Sequence, residues 1–144
     1  MKEYHMEING VLNDIDSRRS FLMGLVFIAK ADGIIEPEEM AFFQNAAVAM
    51  ELDEVSLKKV NDCWSIEKCP TLEFSNVIQK KFFIREAIEL SCIDEHYTDE
   101  ERDLVYKFAA ELRISPSSVE ALEKWVEEGM AWKKRGDELI QKAE

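Results

Sequence analysis

Phe21-Leu-Met-Gly-Leu-Val-Phe-Ile-Ala-Lys-Ala-Asp-Gly-Ile-Ile-Glu-Pro-Glu-Glu39 and Phe83-Ile-Arg-Glu-Ala-Ile-Glu-Leu-Ser-Cys-Ile-Asp-Glu-His-Tyr-Thr-Asp-Glu-Glu101 are two versions of one pattern. Each is an apolar run closed by an aspartate, with a glutamate seven residues further on. Asp32 and Asp94 set an offset of 62 (94 − 32), and at that offset Phe21, Leu22, Leu25, Val26 and Ile28 fall opposite Phe83, Ile84, Ala87, Ile88 and Leu90 without a gap. The register continues past the aspartates, where Phe43, Ala47, Met50 and Leu52 meet Val105, Ala109, Leu112 and Ile114. Identities are few, among them Phe21/Phe83, Glu39/Glu101 and Ser56/Ser118, so the ungapped apolar register carries the inference. A fixed internal period decides architecture before any motif does. It predicts one domain over residues 1–144, with a first repeat at about 18–57 and a second at about 80–119.

The repeated unit reads as helical. Five glycines and three prolines punctuate the chain, and no stretch alternates as a half-buried strand does. The spacing predicts an all-α fold of about seven helices, the two helix pairs packing with approximate two-fold symmetry so that each covers the other's apolar face. A first helix is expected within Glu3 to Asn13, and a second from Asp16 or Ser17 to Ala31, stopped by Asp32-Gly33. Pro37 suits the first position of a third, ending near Glu51, and Asp53 caps a short fourth running to Trp64. A long helix is expected over Leu72 to Cys92. Thr98-Asp-Glu-Glu101 forms a capping box for the next, and Ser115-Pro116 starts the last, which Gly129 and Gly136 weaken so that it frays beyond Arg135.

Thirty acidic against 18 basic residues give a formal charge of −12, which repels phosphate backbones and argues against nucleic acid, while favouring cations and basic protein surfaces. The longest apolar stretch, Phe21 to Ala29, is far short of the roughly 20 residues that cross a bilayer, so no transmembrane segment is expected. The polar opening Met1-Lys-Glu-Tyr-His shows no export signal, and Cys63, Cys69 and Cys92 lack zinc or disulfide spacing. A cytoplasmic protein with ordinary thiols is the expectation.

Asp32-Gly33-Ile34-Ile35-Glu36-Pro37-Glu38-Glu39 looks like the second half of a helix-loop-helix calcium loop, but its first and third ligand positions would be Ile28 and Lys30, and in the second copy Leu90 and Cys92. Two oxygen ligands are missing each time, which excludes a conventional calcium loop. What Ala29-Lys-Ala-Asp-Gly-Ile-Ile-Glu-Pro-Glu-Glu39 resembles is the signature of the TerB-like domain family of tellurite-resistance proteins: an apolar helix ending in Ala-Asp-Gly, a short turn and a glutamate-led helix. Ile93-Asp-Glu-His-Tyr-Thr-Asp-Glu-Glu101 is similar to the family's second turn, with Glu95 in place of glycine. A similar domain occurs in a membrane-anchored DnaJ-type co-chaperone. The resemblance covers roughly Phe21 to Val126 and implies an all-helical, two-repeat bacterial stress protein rather than an enzyme. It also implies a divalent-cation site at Asp32, Glu39, Asp94 and Glu101, and hard cations do prefer such carboxylate oxygens.

The same residues have a purely structural account, since Glu39 and Glu101 lie in first helical turns and Asp32 and Asp94 accept N–H bonds from the turns that follow them. Against it stands one detail: an aspartate behind a helix C-terminus faces the negative end of the dipole and needs an offsetting donor, for which Lys30 is one candidate and a metal ion another. The alternative function is an acidic helical adaptor that docks a basic protein partner. Cys92 and His96, four residues apart, are the only conceivable catalytic dyad, yet nothing electropositive activates Cys92. Trp125 and Trp132, seven residues apart and followed by Lys133-Lys-Arg135, offer a face for a partner helix or a membrane surface.

Overall fold

Each predicted helix start with a capping residue is used in the computed structural model, which describes residues 8–93 and 96–143. Among the described residues the fold is all-α, with seven helices and no strand. They are α1 (Ile8–Val11), α2 (Ile15–Ala29), α3 (Pro37–Ala49), α4 (Glu54–Asp62), α5 (Val77–Cys92), α6 (Asp99–Glu111) and α7 (Pro116–Gln141). Asp14, Asp53, Asn76, Thr98 and Ser115 each accept the backbone N–H three residues on, which satisfies donors that the first helical turn leaves without a partner.

The period of 62 is written into these boundaries. Shifted by 62, α2 covers 77–91 against Val77–Cys92 for α5, and α3 covers 99–111, the bounds of α6. The starts of α4 and α7, at 54 and 116, differ by the same amount. The ends agree as well. α3 and α6 close in the same six-residue turn, in which Leu52 N–H donates to Ala47 O and Ile114 N–H to Ala109 O, with Glu51 (φ 59°) and Arg113 (φ 62°) in the left-handed conformation. Glycine normally occupies that place. A glutamate and an arginine there gave no stop signal.

Two boundaries differ from the sequence-based expectation. α5 begins at Val77 rather than Leu72, because Asn76 provides the cap and the Ser75 N–H is taken by the Gln79 side chain (2.7 Å). α7 does not fray at Arg135 but continues to Gln141, so its two glycines are tolerated. The long helix behind them is rich in strong helix formers.

α2 and α5, the helices that bury the most residues, pack on each other, and these residues form one contiguous core with Phe43, Val60, Val105, Phe108, Val119 and Val126 from the surrounding helices. Phe21 stacks on Phe82 (5.6 Å between centroids), and Phe83 meets Phe108 edge-on (5.5 Å). α2 also carries α3 and α4 as α5 carries α6 and α7, so neighbour relations repeat with the sequence. The reciprocity that a two-fold arrangement requires is incomplete: α6 reaches α2, whereas α3 makes no equivalent contact with α5 among the described residues. Residues at matching positions explain the gap. Phe108 of α6 fills its side of the molecule, and its counterpart on α3 is Ala46.

Candidate functional site

Asp32 lies just past the end of α2, exposed, and its Oδ1 accepts the Ile34 N–H at 2.9 Å, closing a local turn. That donor is what offsets its position behind a helix C-terminus. Lys30 is used differently: its Nζ donates to the carbonyls of Cys63 and Ile66 (2.6 Å to the latter) and lies 4.1 Å from the centroid of the Phe27 ring. Lys30 thus secures the end of α4 and is not the offset for Asp32. Burial lowers its pKa below the ordinary lysine value.

In the second turn, Thr98 and Glu101 form the expected capping box, with Glu101 N–H donating to Thr98 Oγ1 (3.1 Å) and Thr98 N–H donating to Glu101 Oε1 (2.9 Å). Glu39 sits half-buried in the first turn of α3, whose cap residue, Glu36, makes no side-chain cap bond. Asp94 lies outside the described residues. Among the described residues no three His, Cys, Asp or Glu side chains converge in a way that would hold a metal ion.

The gap beside Ala46 forms a second candidate site, which sequence reasoning missed. It is an apolar groove of about 350 Å³ between α3 and α5, floored by Phe21, Leu25, Phe43 and Met50 and rimmed by Phe42 and Ile93. Phe42 is 62% exposed and Ile93 79%, unusual for such large apolar side chains. The Ala46/Phe108 mismatch at one repeat position was the available signal.

One wall of the groove is acidic. Glu86 and Glu89 on α5 both line it, with Arg85 placed 3.0 Å from the first and 3.7 Å from the second. Burial, and then repulsion from Glu86, raises the pKa of Glu89 above the ordinary glutamate value. A cation brought to this wall would offset the repulsion between the two carboxylates.

Cys92 ends α5 and His96 is exposed in the turn before α6. Burial pushes the Cys63 thiol up to about 11 and the Cys69 thiol up to about 12, which leaves both protonated and poor nucleophiles. No helix among the described residues is long and apolar enough to cross a membrane. Compared with protein-family models, curated proteins and solved structures, the chain has no significant match.

Proposed function

We propose that the protein is a non-enzymatic, TerB-like adaptor of a bacterial stress response, whose α3–α5 groove takes an amphipathic helix from a basic protein partner. The observation that carries this reading is the combination of an apolar floor with the Glu86 and Glu89 wall, on a chain of formal charge −12. Helix-in-groove recognition needs apolar anchors at i, i+3/i+4 and i+7, and lysine or arginine beside them would face the carboxylates. The turns at Asp32 and Glu101, engaged in capping, then organise the helix junctions that shape the groove.

The test is a titration of a helical peptide with leucine anchors and flanking arginines, followed by amide and methyl NMR shifts. Shifts at Phe42, Leu90 and Ile93, weakened by salt and abolished by Ala46→Phe, are expected. Shifts elsewhere, or binding indifferent to Ala46→Phe, would refute the groove.

Divalent-cation binding at Asp32, Glu39, Asp94 and Glu101 is a second reading, which rests on the family resemblance and on the exposure of Asp32. Calorimetric titration of Mg²⁺, Ca²⁺, Mn²⁺ and Zn²⁺ into wild type and an Asp32→Asn, Asp94→Asn double variant tests it. No saturable heat in wild type removes this reading, as does equal binding by both proteins.

A further inference from the structure

Val126 is the last buried residue of α7, and the helix continues to Gln141, about 22 Å further at 1.5 Å per residue, with every residue exposed. One stripe along α7 is patterned, beginning before Val126 with Leu122, half-buried against the core, and Trp125, over whose ring Arg85 lies at 5.3 Å. Leu122, Trp125, Gly129, Trp132, Gly136 and Leu139 follow one another at steps of 3, 4, 3, 4 and 3, the spacing of a two-helix seam. Trp132 is 69% exposed and Leu139 73%, and a Cβ added at Gly129 or Gly136 would meet nothing within 4 Å. The glycines are therefore not required by packing within the chain.

We infer that this half of α7 pairs antiparallel with the same helix of a second copy, each tryptophan seating over a glycine of the other chain. In an antiparallel pair the two sets of seam positions face each other, and the register that aligns every layer joins residues whose numbers sum to 261. Trp125 then faces Gly136 of the second copy and Trp132 faces Gly129, while Leu122 faces Leu139. Each inner layer holds one large side chain and one glycine, which keeps interhelical packing even. A parallel pair would stack tryptophan on tryptophan and glycine on glycine, giving alternate clashes and voids.

Charge agrees with the register. Glu128 and Arg135 occupy equivalent flanking positions one heptad apart, so the antiparallel pair sets Glu128 of each chain beside Arg135 of the other. The inner end of the stripe is open: Trp125 and Gly129 border a groove of about 600 Å³ between α7 and the end of α5. The groove beside α7 shares Glu89 and Ile93 with the α3–α5 groove, and Ala46→Phe tells the two proposals apart, since it should close the latter and leave the pairing unchanged.

Sedimentation equilibrium of the full chain under reducing conditions, from micromolar to submillimolar concentration, is the test. A monomer–dimer equilibrium is expected, weakened about tenfold or more by Gly129→Trp, which fills the hole, while helical circular dichroism is kept or raised. Glu128→Arg should also weaken it, and adding Arg135→Glu to that variant should restore it. A monomer at all concentrations, a dimer indifferent to Gly129→Trp, or a double variant no better than the single would each overturn the inference. Co-sedimentation of a monomeric chain with anionic vesicles, lost on Trp132→Ala, would assign the face to lipid and overturn it too.

Discussion

Gly24 of α2 lies against the Phe83 ring of α5, and a Cβ built there would lie 2.5 Å from Phe83 Cζ. Alanine is the better helix former by about 1 kcal/mol, yet the collision with a fully buried ring outweighs that gain. Gly24→Ala should therefore lower stability by about 1–3 kcal/mol in urea titrations, through displacement of Phe83. Glu51 and Arg113 pose the opposite case, side-chain-bearing residues held at φ 59° and 62°. Glu51→Gly and Arg113→Gly should each stabilise the fold by about 0.5–1 kcal/mol, read as a raised denaturation midpoint. Residues that announce themselves chemically, such as Asp53, Thr98 and Ser115, were legible as caps from sequence. A left-handed glutamate was not, because tertiary packing of Leu52 and Ile114 beneath the turn imposes that conformation.

Among the elements, α2 depends on its cap. Asp14 accepts from Ser17 N–H and from the Ser75 hydroxyl, and the Ser17 side chain above all, with these bonds, holds its pKa below the usual 3.8 against the opposing effect of burial. At α7, burial opposes ionisation of Glu123, but hydrogen bonds from Arg102 and Tyr106 outweigh it and hold the carboxyl below 4.5. A group whose folded pKa is depressed contributes stability that is present above its unfolded value and lost as pH falls through the folded one. The protein should accordingly lose stability as pH drops below about 4, and Asp14→Asn, which keeps a competent cap, should flatten that slope in thermal melts at pH 2 to 5. The order of helices, and most of their starts, followed from apolar period and caps. The real length of α7 did not, since its outer half lacks a core contact and its glycines argued for fraying.

At the scale of the whole molecule, the repeated half-units differ most where Ala46 replaces the equivalent of Phe108. Ala46→Phe should fill the groove between α3 and α5 and lower the fluorescence of a bound apolar dye, with little loss of stability because the site is already open. Glu89 gives a companion test with the opposite sign from Asp14. Its folded pKa is raised, so its penalty is absent below the unfolded value of 4.5 and grows as pH rises toward the folded one. Glu89→Gln should raise the melting point modestly at pH 7, by no more than about 0.5 kcal/mol equivalent for so exposed a group, and have no effect near pH 4. The duplicated architecture was legible in the 62-residue register, whereas the groove was not, because it arises from an absent side chain rather than a motif.

The segment between the repeats is held from both sides, by hydrogen bonds to the first repeat and by Phe74, whose ring stacks on Phe83 of the second at 5.5 Å between centroids. Toward the first repeat, Glu73 N–H donates to Ser20 Oγ and Ser75 Oγ to Asp14, and Lys30 reaches the Cys63 and Ile66 carbonyls, while Ser75 N–H donates to Gln79 Oε1 of α5. Its longer-range hydrogen bonds run to the first repeat, and these couple the opening of Glu73 and Ser75 to that of α2. Native-state amide exchange should show Glu73 and Ser75 opening together with Ser20, and Ser20→Ala should release the connector before it weakens α6.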